Sequence, residues 1–285
     1  MAKYPTTPMC DGALLEAFEP SVRDSDIFCA TVPKSGQTWL MALMFHLRSR
    51  GLDPEMGGKD RMEVMPWLEL PFDVRTRTPH ERSERLSHFA TLPDPRIFKM
   101  HVSYDEIPRP AVSHSRIVTI TRDPRELPFS MYNHLDGMGR LTPEQEDFNV
   151  YFESWLETGY FFEVVRSFWP HREENHLLWL RYEDLQADLP GQARRLCDFL
   201  GWPLHDADLE RVLPLVSFSH MQGEEDRRRM EQPEQSIWRE GKRFFREGAV
   251  GNNSERLSES QRRRVVERAR ELLHPECFDF VMSLD

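Results

Sequence analysis

No run of 18 apolar residues occurs anywhere in this 285-residue chain, so the sequence offers no membrane-spanning helix. Its first residues, Met-Ala-Lys-Tyr-Pro-Thr-Thr-Pro-Met, lack the apolar core of a signal peptide, which leaves an intracellular, cytoplasmic location as the expectation. Cysteine is sparse. Cys10, Cys29, Cys197 and Cys277 are widely separated and show no Cys-x-x-Cys spacing, so neither a zinc motif nor a disulfide framework is expected and the thiols read as reduced packing residues. Basic residues are in the minority, 37 against 48 acidic, and the formal charge of −11 argues against a general nucleic-acid binder. Gly/Ser-rich linkers and internal repeats are absent too, and the 21 prolines are scattered. One domain is therefore expected after a polar lead-in over residues 1–26, running over 27–285.

What is present suits a soluble globular chain. Apolar residues make up 39% of the sequence, with seven Trp and 18 Phe for a substantial core, and charged residues 30%. The most informative stretch is Ile-Phe-Cys-Ala-Thr-Val-Pro-Lys-Ser-Gly-Gln-Thr-Trp, residues 27–39. Ile27 to Val32 has the make-up of a strand buried on both faces, Pro33 ends it, and helical spacing resumes from Trp39 to Arg50. Between them lie a cation, Lys34, a glycine for a tight turn, Gly36, and the donors Ser35, Gln37 and Thr38. A helix start presents unpaired N–H groups and a partial positive charge, so this turn reads as a phosphate cradle. It is not the nucleoside-triphosphatase loop, because Lys34 precedes the glycine. Taken alone it equally suits an ordinary strand-to-helix loop capped by Ser35 or Thr38.

Further strands are expected at Arg96–His101, Arg116–Arg122 and Leu177–Tyr182. Helices are expected after Pro124, over Tyr151–Phe168, over Gln192–Leu200 with Gly201 as its stop, and over Ser258–Leu273. Alternation of this kind implies an α/β fold, a central and mostly parallel sheet flanked by helices, with the phosphate-binding turn after the first strand. Lys99, His101 and Arg122 would then lie at strand carboxyl ends, where such sheets bind ligands. Ser130 follows Arg122 by about two helical turns. Met65 to Phe72 is too apolar and too rich in proline for a regular helix, and reads as a loop packed on the core or as a wall of an apolar pocket. The charged run Gly223–Gln235 reads as a solvated loop or a lid, and the basic, glycine-containing run Gly241–Gly251 as a second place where backbone can approach an anion.

With these pieces in order, the chain resembles the cytosolic-type sulfotransferases, which use 3′-phosphoadenosine 5′-phosphosulfate (PAPS) as sulfuryl donor. Thr-Val-Pro-Lys-Ser-Gly-Gln-Thr-Trp resembles the family's 5′-phosphosulfate loop, Tyr-Pro-Lys-Ser-Gly-Thr-Thr-Trp, and Lys99-Met100-His101 resembles its Lys-Thr-His. Arg122 with Ser130 resembles the family's 3′-phosphate pair, and Tyr182-Glu183-Asp184 the Tyr-Glu-Asp whose Tyr lies near adenine. Ser217-Phe218 with Met221 resembles Ser-Phe-x-x-Met, and Arg246-Glu247-Gly248-Ala249-Val250-Gly251 resembles Arg-Lys-Gly-x-x-Gly, a second 3′-phosphate contact. The agreement runs from about residue 27 to 261.

The resemblance implies sulfuryl transfer to a hydroxyl of a small, partly apolar acceptor, with His101 as base, Lys34 and Lys99 as cations on the moving charge, and no metal. The cofactor site it implies comprises Lys34, Ser35, Gly36, Gln37, Thr38, Trp39, Arg122, Ser130, Tyr182, Phe218, Arg246, Glu247 and Gly248. Trp67, Leu68 and Phe72 suggest the apolar acceptor wall. Three features depart from the family. Gln37 replaces a Thr and would donate through its amide. Glu247 replaces a Lys, which bears on the grip at the 3′-phosphate. The family's dimer stretch, Lys-x-x-x-Thr-Val-x-x-x-Glu, falls on Ser254, Ser258, Glu259 and Arg263 without a match, so a dimer of that type is not assumed. Two other readings stand beside this one: a P-loop-type nucleotide kinase with Asp123 on Mg²⁺, and a non-catalytic nucleotide-binding relative.

Overall fold

The computed structural model of the chain describes residues 4, 7, 9–74, 76–232, 236–246 and 251–282. Ile27–Ala30 forms strand β1, and all its side chains are buried, as an unbroken apolar run requires in a strand covered on both faces. Strands β2 (Ile97–Met100), β3 (Arg116–Thr121) and β4 (Leu177–Arg181) join it in the spatial order β2-β1-β3-β4. All pairings are parallel, with Phe28 opposite both Phe98 and Ile117, and Thr119 opposite Trp179.

The period-two alternation of strand side chains divides the core in two. Phe28, Ala30, Phe98, Met100, Ile117 and Trp179 face one side, while Ile27, Cys29, Ile97, Val118, Ile120 and Leu180 face the other. Helix α1 (Gly12–Phe18) packs on the first side, with the Phe18 ring 5.0 Å from that of Phe98. The lead-in segment thus contributes to the core. The second side is covered by helix α2 (Gln37–Arg48), together with Leu189–Leu200 and Asp206–Leu215. The starts of β1 and β2 are clamped by a buried ion pair, in which Arg96 Nε and Nη2 donate to the two carboxylate oxygens of Asp26 at 2.7 and 2.5 Å.

Two sequence expectations need correction. Tyr151–Phe168 is not one helix but two, Phe148–Thr158 and Tyr160–Phe168, because Gly159 between them has φ 63° and caps the first. The charged run from Gly223 is not a loop. After helix α3 (Leu127–Gly137), whose first turn accommodates Pro128, the next helix that matters for the site is α4 (Phe218–Glu231). Ser217 caps it through the His220 N–H, and Glu, Arg, Gln and Met are strong helix formers that continue it to Glu231.

The strand order positions the site. From β1 the chain passes to β2 on one side and then crosses back over β1 to β3 on the other, so the crevice lies beyond the carboxyl ends of β1 and β3.

Candidate active site

The turn leaving β1 is conformationally unusual. Lys34 has φ 72° and Gly36 φ 100°, both in the left-handed region, which a non-glycine residue such as Lys34 rarely occupies. A Cβ on Gly36 would stand 2.6 Å from Tyr182 Cδ2. This position therefore needs glycine both for its backbone angle and for the approach of the Tyr182 ring. Lys34, Gly36, Thr38 and Trp39 line a cavity of about 2170 Å³. Ser35 does not: it is fully buried. Gln37 lines the cavity too, but its side-chain amide donates inward, to the carbonyls of Cys29 (2.6 Å) and Met100 (2.9 Å). The expected amide contact with a phosphate is thereby corrected, because that N–H₂ stitches the ends of β1 and β2 together.

Arg122 follows β3 and Ser130 lies on α3, and both line the same cavity. Arg122 Nη2 donates to Glu126 Oε2 at 2.8 Å, and its guanidinium carbon lies 4.3 Å from the Tyr182 ring centroid. Glu126 is buried and also accepts from Asn253 Nδ2 (3.3 Å) and the Ser254 N–H (2.9 Å). Asn253 Oδ1 in turn accepts from Arg246 Nη2 at 3.3 Å. A carboxylate and an amide thus join the two arginines. Glu247 and Gly248 lie outside the described residues. Trp39, Tyr182 and Phe218 supply aromatic walls; Trp39 and Tyr182 meet edge-on at 5.6 Å, and Trp39 Nε1 donates to the Val216 carbonyl at 2.8 Å. Asp123, the metal ligand of a kinase reading, instead caps its own turn, accepting from the Arg125 N–H at 2.8 Å and pairing with its guanidinium at 2.5 Å.

At the carboxyl end of β2 the cavity gathers Lys99 and His101 beside Lys34. Burial, then the charges of Arg246, Lys99 and Arg122, lowers Lys34 to about 7 despite Glu225. Lys34 Nζ is 3.4 Å from His134 Nδ1 and 4.4 Å from the Phe244 ring centroid. Lys99 falls to about 8, chiefly by burial, with Glu69 opposing, and its ammonium lies 4.0 Å from the Trp67 ring centroid. His101 is held well below its usual range by burial and then by Lys99. Its Nδ1 stands 2.7 Å from the Thr31 carbonyl oxygen. That oxygen only accepts, so Nδ1 carries the proton and the neutral ring leaves a lone pair on Nε2.

The backbone of His101 is held as firmly: its N–H donates to Glu69 Oε1 at 2.7 Å, and its carbonyl accepts from Tyr160 at 2.8 Å. Burial raises Glu69 to about 7, against the lowering bonds from His101 and Trp67. Glu69, His134, Thr31 and Tyr160 were not identified from the sequence. The first two carried a signal, Glu69 as a lone carboxylate in an apolar run and His134 as the residue four after Ser130 on one helix.

The apolar wall comes from the 66–72 segment. Its backbone bridges to β2, with Leu68 N–H donating to the Lys99 carbonyl and Lys99 N–H to that of Pro66, each at 2.9 Å. Arg85 donates to the carbonyls of Trp67 and Leu70. Trp67, Leu70 and Phe72 line the cavity, while Leu68 packs into the core. Leu68 is therefore not an acceptor-wall residue.

Residues 24–275 match the family model of the sulfotransferase domain. The chain is 32% identical over 210 residues to human sulfotransferase 4A1, covering 72% of this chain and 70% of that protein. It is 28% identical over 270 residues to cytosolic sulfotransferase 12 of Arabidopsis thaliana, covering 90% and 79%. Among solved structures, a retinol dehydratase in complex with retinol and PAP superposes with a TM-score of 0.75 at 22% identity, over 89% of this chain and 82% of that one. Mouse sulfotransferase SULT7A1 complexed with PAP gives 0.72 at 22%, over 95% and 94%. At that identity the structural likeness is one of fold. Together with the donor turn and the ordered motifs, the family match establishes that the chain belongs to the sulfotransferases and is a PAPS-dependent enzyme of that family.

Proposed function

We propose that this protein transfers the sulfuryl group of PAPS to a hydroxyl of a small, partly apolar acceptor, with His101 as general base. The observation that carries this reading is the 2.7 Å contact of His101 Nδ1 with the Thr31 carbonyl, which leaves Nε2 of a neutral imidazole free to accept a proton. Bound PAPS supplies an activated sulfuryl group on a phosphate leaving group. The N–H groups at the start of α2, with Lys34, hold the 5′ end, while Arg122, Ser130 and Arg246 hold the 3′-phosphate. Trp39, Tyr182 and Phe218 enclose the base. Gln37 acts through its backbone, since its amide is engaged within the sheet.

In the transfer, the acceptor hydroxyl attacks sulfur in line with the departing phosphate oxygen, and its proton passes to His101 Nε2. Lys34 neutralises charge growing on the leaving phosphate and Lys99 balances the sulfuryl oxygens, where a kinase would use Mg²⁺. Trp67, Leu70 and Phe72 hold the apolar body of the acceptor and exclude water. The test is His101→Ala. Turnover of a simple phenol should fall by about 10²- to 10⁴-fold, while affinity for adenosine 3′,5′-bisphosphate stays within a few-fold of wild type. A variant that kept its kcat would remove His101 as the base.

A further inference from the structure

Two arginines stand on the cavity wall away from the donor turn, and the transfer reading gives them no role. Arg77 lies at the tip of a hairpin closed by an antiparallel bridge between Phe72 and Pro79 and by Asp73 N–H to the Thr78 carbonyl, 2.9 Å. Its backbone is left-handed, φ 62°, a conformation that a non-glycine residue holds only when its surroundings enforce it. Its guanidinium carbon lies 3.8 Å from the Phe72 ring centroid. Arg140 arrives from a different element, the turn that ends α3, where its N–H donates to the Leu135 carbonyl at 2.8 Å. Arg140 Nη2 reaches across to the Val74 carbonyl of the hairpin at 2.9 Å.

The two cations are near enough that Arg77, after burial, holds Arg140 below its usual range. Neither forms an ion pair among the described residues. Of the nearby carboxylates, Asp136 pairs with Lys242 (2.6 Å) and Arg239 (3.6 Å), and Asp73 accepts from the Thr76 N–H and hydroxyl. Arg140 also acts electrostatically on His134, whose Nδ1 is 3.4 Å from Lys34 Nζ. The cavity lining therefore carries two further cations, Arg77 and Arg140, the first stacked on the apolar ring of Phe72 and the second acting on His134. Two like charges from separate elements, beside an apolar wall and with no ion-pair partner among the described residues, make a site for an oxyanion.

We propose that Arg77 and Arg140 bind a carboxylate or similar oxyanion at the far end of the acceptor, so that the acceptor class is a hydroxyl compound with an apolar body and an anionic tail. This rests on the transfer reading for the word acceptor. The test is a binding comparison that does not need turnover. A series of 4-hydroxyphenyl-alkanoic acids of increasing chain length is titrated against the full chain with adenosine 3′,5′-bisphosphate present, beside the methyl ester of each acid. At the chain length that spans the cavity the acid should bind at least about tenfold more tightly than its ester. That ratio should fall towards one in the double variant Arg77→Gln/Arg140→Gln and be largely retained in Arg77→Lys/Arg140→Lys, which keeps the charge.

A ratio near one for the wild type at every length overturns the proposal. So does a preference for the acid that survives the double Gln substitution, since the carboxylate would then be held at Lys34 or Lys99. Sulfuryl transfer to the ester is followed in parallel. Its absence would count against the transfer reading while leaving the binding ratio to decide the oxyanion site.

Discussion

At the scale of single residues, the cavity sets its titrating groups against their ordinary charge states. Lys34 at about 7 and Lys99 at about 8 are depressed mainly by burial. A bound phosphate favours their ammonium forms, so binding draws protons from solution. Affinity for adenosine 3′,5′-bisphosphate should accordingly weaken as pH rises through about 7 to 8, and calorimetry near pH 8 in two buffers of different ionisation enthalpy should show net proton uptake. Affinity that is flat across this range, with no proton exchange, would contradict the depressed lysines. The sign for stability follows from the same shifts. Between about 7 and the usual 10.5 the unfolded chain holds the Lys34 proton that the folded chain has lost, so this residue's unfavourable effect on the ligand-free fold eases as pH rises through that window.

At the scale of elements, the donor turn depends on close contact between β1–α2 and the segment after β4. Gly36→Ala places a methyl 2.6 Å from Tyr182 Cδ2 at φ 100°, and backbone strain alone costs about 1–3 kcal/mol. Thermal denaturation should show a drop of several degrees, and nucleotide affinity should fall with it, because Tyr182 can move only by disturbing the wall shared with Arg122 and Trp39. An alanine variant of wild-type stability and affinity would show that the turn has more room than this geometry allows. The strands and the helix stop at Gly201 were legible in the sequence because they rest on local patterns: apolar runs and an αL glycine. The α4 helix was misread because its charged composition suits a solvated loop as well as a helix, and it is the contacts of Glu225 with the N–H groups of Phe244 and Phe245 that anchor it to the neighbouring segment. Leu68 was misassigned because an irregular segment has no period from which an inward face can be read; its N–H bond to the Lys99 carbonyl fixes it only in the folded chain.

At the scale of the whole molecule, a chain of charge −11 concentrates cations in one cavity, where Lys34, Lys99, Arg122 and Arg246 converge. Adenosine 3′,5′-bisphosphate should therefore stabilise the fold without help from a metal. At 100 times its Kd the gain is about 2.7 kcal/mol, read as a shift of several degrees in Tm and expected to be the same with Mg²⁺ or with a chelator. Stabilisation by ATP only in the presence of Mg²⁺ would instead favour a kinase.

By itself the sequence determined the strand–turn–helix at residues 27–48, the alternation that implies a parallel sheet, and the residue types that bring a phosphate cradle, a histidine and an arginine to strand ends. Those properties are written in neighbouring residues and in spacings of a few positions. The tertiary structure alone decided which groups meet: the Thr31 carbonyl with His101, Glu69 with the His101 backbone, Glu126 with Asn253, and Arg140 with the Val74 carbonyl of the hairpin that carries Arg77. Parallel strands bring together residues from distant parts of the chain, and it is their register and side-chain burial that set the charge of each group, neither of which is encoded in any local stretch.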